Sequence, residues 1–345
     1  MTRIERRVML VINSFKDDYL PGNSVDNATT TIFHEESEDV KQILDYIQFA
    51  RIIVPIVLGL ITATGIVGNT LTVAVVFRNK DMKCITNILI TSLAVADILF
   101  IVICVPFKAI QFAMFEWPFG DVWCRITMYF TYACPYVSMY MLVLISLDRY
   151  LALVHPIRAL SLCTKRNCYM VLTVIWSIIL IGNIPMIFKS AGIYSIGQIP
   201  YCVNVKNKDQ TSIQIFSVCF FVFGYMLPIM LLCVPYVHIL KVFLTGSISG
   251  VNKHIRQVRL QSEKCVTKMV IIMVIVFTIC WLPFHIFSLY IVFTKYHKNP
   301  LYWSLYIEAQ CMSYLDSCIN PILYAFYSMT FRKCFRDILS CQKRN

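Results

Sequence analysis

Between Arg51 and Arg78 there is no charged residue, and stretches of this kind recur along the chain. Residues 126–147 and 167–188 are free of charge; 84–107 contain only Asp97, 210–240 only His238 and 269–294 only His285 among ionisable acids and bases. A seventh stretch, 303–327, carries Glu308 and Asp316 but no lysine or arginine. At 1.5 Å of rise per residue, each can cross a hydrocarbon core of about 30 Å. In lipid such a segment must satisfy its own backbone, which leaves the helix as its form. The pattern predicts an all-α membrane protein: a tail at 1–50, a seven-transmembrane helix bundle over 51–327, and a short amphipathic eighth helix with a cytoplasmic tail over 328–345.

The chain is 58% hydrophobic and 14% charged, more apolar than a single soluble core accommodates. Its net charge of +12 does not point to nucleic acid, because the bases sit in short clusters between apolar runs. Those clusters give the orientation: Arg78, Lys80 and Lys83; Arg158, Lys165 and Arg166; Lys241 through Lys268; and Arg332 through Arg344 mark the cytoplasmic side. The tail then lies outside, with acids outnumbering bases nine to five, and Asn27-Ala28-Thr29 in it is a candidate glycosylation site. The apolar segment Val8–Ile12 is too short for a signal-peptide core, so the first long helix is expected to direct the chain to the plasma membrane. Most of the fifteen cysteines lie inside apolar runs, where a free thiol acts as a small hydrophobe.

Several residues are costly in lipid unless they have a purpose. Asp97 is an acid at mid-membrane and should face the bundle interior with a partner; a neutral acid hydrogen-bonded in the core is the alternative. Pro228, Pro283 and Pro321 each remove a helix hydrogen bond and favour a kink. Arg149, next to Asp148 at a membrane edge, reads in isolation as a snorkelling arginine. No glycine-rich phosphate loop, Cys-x-x-Cys pair or His-Glu-x-x-His motif is present, so no enzyme and no resident cofactor are expected.

In chain order stand Gly65-x-x-Gly68-Asn69, Leu93-Ala94-Val95-Ala96-Asp97, Asp148-Arg149-Tyr150, Trp176, Pro228 with Tyr236, Cys280-Trp281-Leu282-Pro283 and Asn320-Pro321-x-x-Tyr324. From about Arg51 to Cys341 this set resembles the rhodopsin-like family of G-protein-coupled receptors. The resemblance implies a disulfide between Cys124 and Cys202. It implies a switch built from Asp148, Arg149, Tyr150, Tyr236, Glu263, Phe277, Trp281, Pro283, Asn320, Pro321 and Tyr324, with Arg149 held at rest by Asp148 and Glu263. It further implies a sodium ion at Asp97, Ser138, Ser317 and Asn320, where Asp316 departs from the family's usual asparagine. Cys341 is a candidate for palmitoylation, with an unmodified thiol the alternative.

Family amine receptors place an aspartate where this chain has Thr131, and light receptors need a lysine in the seventh helix, where 303–327 has none. Trp117 through Cys124, Thr86 through Ile90 and Leu142 through Pro156 look like invertebrate A-type allatostatin receptors and, more distantly, galanin receptors. The resemblance implies a short peptide ligand. Without a carboxylate at Thr131 its buried end should be uncharged, as an amidated terminus is, and the loop 189–209 is long enough to form a hairpin lid. The resemblance also implies a heterotrimeric G protein of the inhibitory type, with arrestin and a receptor kinase as further partners. Candidate pocket residues are Phe107, Gln111, Thr131, Tyr132, Phe284, His285, Ser288, Tyr306 and Gln310, with interior packing as the alternative for each. A somatostatin- or opioid-like receptor is the alternative within the class, and a transporter the alternative outside it.

Overall fold

The computed structural model describes residues 29–79, 82–196, 199–204, 210–245, 253–294 and 300–339. Within these, the side chains at 29–47, 189–191, 194–196, 203–204, 210, 212, 243, 245, 253–265, 300–304, 329–330 and 338–339 are not described. Asn27 and Cys341 lie outside the described residues, as does the side chain of Glu263.

Seven long helices form the bundle. They are α1 (Thr29–Arg78), α2 (Ile85–Ile103, resuming after Cys104 as Val105–Met114), α3 (Gly120–Val154), α4 (Lys165–Gly182), α5 (Gln210–Phe221, then Leu227–Thr245), α6 (Lys253–Phe293) and α7 (Pro300–Tyr327). A short helix, Pro156–Leu162, follows α3, and α8 (Met329–Leu339) follows α7. The first six long helices are apolar enough over their length to cross a bilayer. The seventh is 28 residues long, and Glu308, Asp316 and Asn320 make it more polar; Asp316 and Asn320 are buried, facing the other helices.

Burial separates the axis of the bundle from its rim. The apolar windows of α2 and α3 are 61% and 56% buried against 22% for α4, so α2 and α3 run through the middle and α4 lies at the edge. The rim residues are themselves apolar, with Ile56, Leu60 and Val67 on α1 and Val174, Ile178 and Ile181 on α4 exposed, as expected when the solvent is lipid. Polar contacts then hold helices that share no hydrophobic drive to associate. Trp176 Nε1 donates to Ser92 Oγ at 2.9 Å between α4 and α2, and Asn69 Nδ2 donates to the Ser317 carbonyl at 2.8 Å between α1 and α7. Gly68 allows the closest approach of α1 to α7, since a Cβ there would lie 2.8 Å from Cβ of Pro321.

The prolines reshape the helices locally. Cys104 breaks α2 two residues before Pro106, and a π-helical turn, Val222–Met226, precedes Pro228 in α5. Pro135, Pro235, Pro283 and Pro321 lie within continuous helices.

Two expectations about boundaries are corrected. Residues 29–50 are helical and continue directly into the membrane span; that stretch contains no proline, and the proline within this helix is Pro55. The second run does not end at Phe107. Lys108 ends the uncharged stretch but not the helix, which runs to Met114, where Phe115 adopts a left-handed conformation (φ 56°) and closes it.

Over one end of the bundle lies a two-stranded antiparallel hairpin, β1 (Ala191–Ile196) and β2 (Ile199–Asn204), with Ile193 opposite Cys202. At the other end α8 presents two faces: Phe331, Cys334 and Phe335 are buried, while Arg332, Lys333 and Arg336 are exposed. That division suits a helix lying along a bilayer surface.

Candidate functional site

Beneath the hairpin, helices α2, α3, α5, α6 and α7 converge on an aromatic chamber. Cys124 at the start of α3 is bonded to Cys202 of β2, which draws the hairpin over it. Tyr132 meets Phe216 and Phe220 edge-on at 5.1 and 4.8 Å, Phe284 stacks on Tyr306 at 6.2 Å, and Phe220 lies 4.7 Å from the ring of His285. The sequence candidates Tyr132, Phe284, His285 and Tyr306 therefore share one aromatic wall, with Phe220 as its hub. His285 is 2% exposed and packed between α5 and α6 against Phe221 and Tyr225 as well. Ser288, Tyr306 and Gln310 are half-buried. The Thr131 hydroxyl donates to its own helix at the Thr127 carbonyl, 2.8 Å away.

Phe107 belongs to an adjoining cluster against which Tyr132 and Phe216 also pack. It packs edge-on against Phe119 and Trp123 at 5.0 and 4.9 Å, in a second cluster with Trp117, Met128, Met186 and the disulfide. Gln111 is engaged there too: its Oε1 accepts from Lys108 Nζ at 3.1 Å and its Nε2 donates to the Cys202 carbonyl at 3.3 Å.

Halfway down the bundle, Asp97 is 1% exposed and accepts from Ser138 Oγ at 3.3 Å and from Asn320 Nδ2 at 2.9 Å. The Ser317 hydroxyl bonds to the same carboxyl group. Asp316 is buried beside it and accepts from Trp281 Nε1 at 3.3 Å, so the indole of the α6 proline motif is tied to α7. Trp281 stacks on Phe277 at 5.8 Å and lies 6.2 Å from Phe100. A narrow crevice lined by Phe100, Cys134, Pro135, Ser138, Trp281, Asp316 and Ser317 borders this polar layer.

At the basic end, Arg149 Nη2 contacts Asp148 Oδ2 at 2.6 Å and also donates to Thr86 Oγ1. Thr86 in turn donates to Asp148 Oδ2 at 2.6 Å. The guanidinium is thereby held against α2 and α3, only 14% exposed. Nearby, Ser146 and Tyr236 hydroxyls are 2.7 Å apart, joining α3 to α5, and Tyr150 lies 3.2 Å from His155 Nε2. Tyr324 stacks on Phe331 at 5.4 Å and so links α7 to α8. Pro283 and Pro321 lie inside α6 and α7, between the chamber and this end.

Sequence reasoning passed over Thr86, Lys108, Phe220 and Tyr314. Thr86, Asp97 and Lys108 are spaced by eleven residues, three helical turns, which places them on one face of α2. Once Asp97 is assigned inward, this spacing points to the other two. Phe220 and Tyr314 carry no such signal, since an aromatic residue in an apolar run reads the same toward lipid or interior. Tyr314 is 1% exposed, 5.4 Å from Phe100, and its buried hydroxyl has no hydrogen-bond partner among the described residues.

The seven-helix plan agrees with comparisons to known proteins. The 7 transmembrane receptor (rhodopsin family) profile matches residues 68–324. The chain is 39% identical to the allatostatin-A receptor of Bombyx mori over 293 residues, covering 84% of this chain and 80% of that protein. It is 36% identical to somatostatin receptor type 2 of Mus musculus over 285 residues (82% and 76%) and 33% identical to galanin receptor 2b of Danio rerio over 302 residues (85% and 76%). The chain is a receptor and not an enzyme: it belongs to the rhodopsin family of seven-transmembrane receptors.

Proposed function

We propose that the protein is a plasma-membrane receptor for a short, C-terminally amidated neuropeptide of the allatostatin-A or galanin kind, signalling through a heterotrimeric G protein of the inhibitory type. The hairpin end faces outward, with the tail and a glycan on Asn27. The basic end faces the cytoplasm, where a receptor kinase and arrestin act on the same surface. The observation that carries the ligand assignment is the chamber itself. Where an amine would need a carboxylate stands Thr131, its hydroxyl already bonded to its own helix. The buried cation at the chamber's edge is Lys108. A positive group on the ligand would be stranded there at a cost of several kcal/mol. A neutral amide has no such penalty and finds aromatic surfaces and polar groups such as Gln310. Cells expressing the chain should lower cyclic AMP when screened with amidated neuropeptides. Responses to biogenic amines alone, at submicromolar concentration, would overturn the assignment.

The polar layer fits a sodium ion that modulates this response. Asp97, Ser138 and Ser317 offer hard oxygen donors, and a second buried acid, Asp316, adds negative charge beside them. Asn320, as an amide, can turn its oxygen to the same centre. Bound sodium would offset one of the two negative charges and favour the conformation in which α2, α3 and α7 stay close. Raising sodium should therefore weaken agonist binding several-fold in the wild type, and Asp97→Asn should lose that dependence. If Asp97→Asn retained it in full, the ion would have to sit elsewhere.

A further inference from the structure

We infer that Lys108 is a positioning residue for the lid, fastening Cys202 to α2 from the side opposite the disulfide. Cys202 is held to α3 through its sulfur. Its carbonyl is held to α2 by two donors, Lys108 Nζ at 3.1 Å and Gln111 Nε2 at 3.3 Å. One residue of β2 is thus pinned by two helices, covalently on one side and by a charge-assisted hydrogen bond on the other.

The setting of the ammonium is specific. Lys108 is 5% exposed, and among the described residues no carboxylate forms an ion pair with it. Its partners are instead the Gln111 side-chain oxygen at 3.1 Å, the Cys202 carbonyl and the face of Trp117, whose ring centre is 5.9 Å from Nζ. Two oxygens and a π face complement three N–H donors, which is how a charge can stay buried without a counter-ion. Trp117 is itself fixed to the lid and to α3: its backbone N–H donates to the Pro200 carbonyl at 2.7 Å and its indole to the Gly120 carbonyl at 2.9 Å. The ammonium therefore sits where α2, the connection from α2 to α3, and β2 meet.

A disulfide fixes the distance between two chains but leaves torsions about which the strand can swing. The bond to the Cys202 carbonyl fixes the direction of its peptide plane, and with it the pitch of β2 over the chamber. A neutral side chain of similar length keeps the packing of the stem and loses this restraint. Gln111 still serves the carbonyl in that case, so the two donors should act non-additively: only when both are gone is the buried oxygen left unsatisfied.

Backbone hydrogen exchange of the full-length, ligand-free receptor in lipid nanodiscs tests this without reference to any ligand. Lys108→Met should speed exchange at the amides of residues 199–204 by about tenfold, the scale of one such bond. The disulfide should remain intact and exchange in α3 unchanged. Lys108→Arg, which keeps the charge and the donors, should recover most of the protection. The double variant Lys108→Met/Gln111→Leu should exceed the product of the single effects. Unchanged exchange in β2 of Lys108→Met, or an equal rise throughout α2 and α3, would overturn the proposal. Should Lys108→Met not fold, Lys108→Gln, a shorter neutral side chain, must still raise exchange at 199–204, and no rise there would be equally decisive.

Discussion

Replacing Arg149 by alanine should leave a receptor that reaches the surface and binds its peptide but accelerates nucleotide exchange at least tenfold less than the wild type. The reason lies in where the guanidinium rests. It is bonded to Asp148 and to Thr86, both on helices that form the bundle's axis, and is mostly buried. Those contacts pair its charge while the receptor is at rest. In the proposed coupling α6 would pivot at Pro283 and a partner entering from the cytoplasm would take over the same donors; charge-assisted bonds of this kind are worth roughly 1.5–3 kcal/mol each. Alanine removes that exchange of partners without touching the chamber, where the ligand's contacts lie. Asp148 would be left with Thr86 alone, so a modest rise in basal activity is also expected. Full agonist-driven exchange by Arg149→Ala would show that the arginine has no part in coupling.

Cys202→Ser should abolish peptide binding or prevent surface expression. The bridge to Cys124 spans 78 residues of sequence, and in the chain-entropy view closing a loop of that size stabilises the folded state by roughly 4 kcal/mol. Its loss frees the lid from α3 and loosens the cluster of Trp117, Met128 and Met186 around it. The Lys108 and Gln111 bonds would still hold the Cys202 position weakly, so the variant should bind poorly but keep its helical bundle. Alkylation and mass mapping of the native receptor checks the premise: both thiols should be blocked, and finding both free would refute it.

The seven-helix plan was legible because lipid imposes the strictest constraint a sequence can meet, and charge-free runs report it directly. The polar layer was legible for the same reason in reverse. Asp97 stands out in its run, and the structure puts Ser138, Ser317 and Asn320 against it. Polar residues at the ends of runs were harder to read. Lys108 marked a boundary by charge although the helix continues past it, because a lysine near a membrane edge usually snorkels outward. Here Trp117, just past the end of the same helix, and the Cys202 carbonyl, from a segment distant in sequence, offer it an interior site. The contacts of Phe107 with Phe119 and Trp123 follow from the break at Cys104 and the fold of the α2–α3 connection, which its place in the sequence does not announce. Beside Asp148, Arg149 also meets Thr86, a short hydroxyl eleven residues before Asp97. Such a contact depends on how two helices cross, which periodicity alone does not encode.

The central claim is that a peptide with a neutral end, bound beneath the hairpin, drives a G protein at the opposite end of the bundle. It is tested most directly by guanine-nucleotide exchange on an inhibitory heterotrimer reconstituted with the purified receptor. Synthetic allatostatin-A-type and galanin-type peptides would be added in amidated and free-acid forms beside a panel of biogenic amines. At least one amidated peptide should accelerate exchange, and its free acid should be markedly weaker. Equal potency of the acid and amide forms, or acceleration by an amine and by none of the peptides, would contradict it.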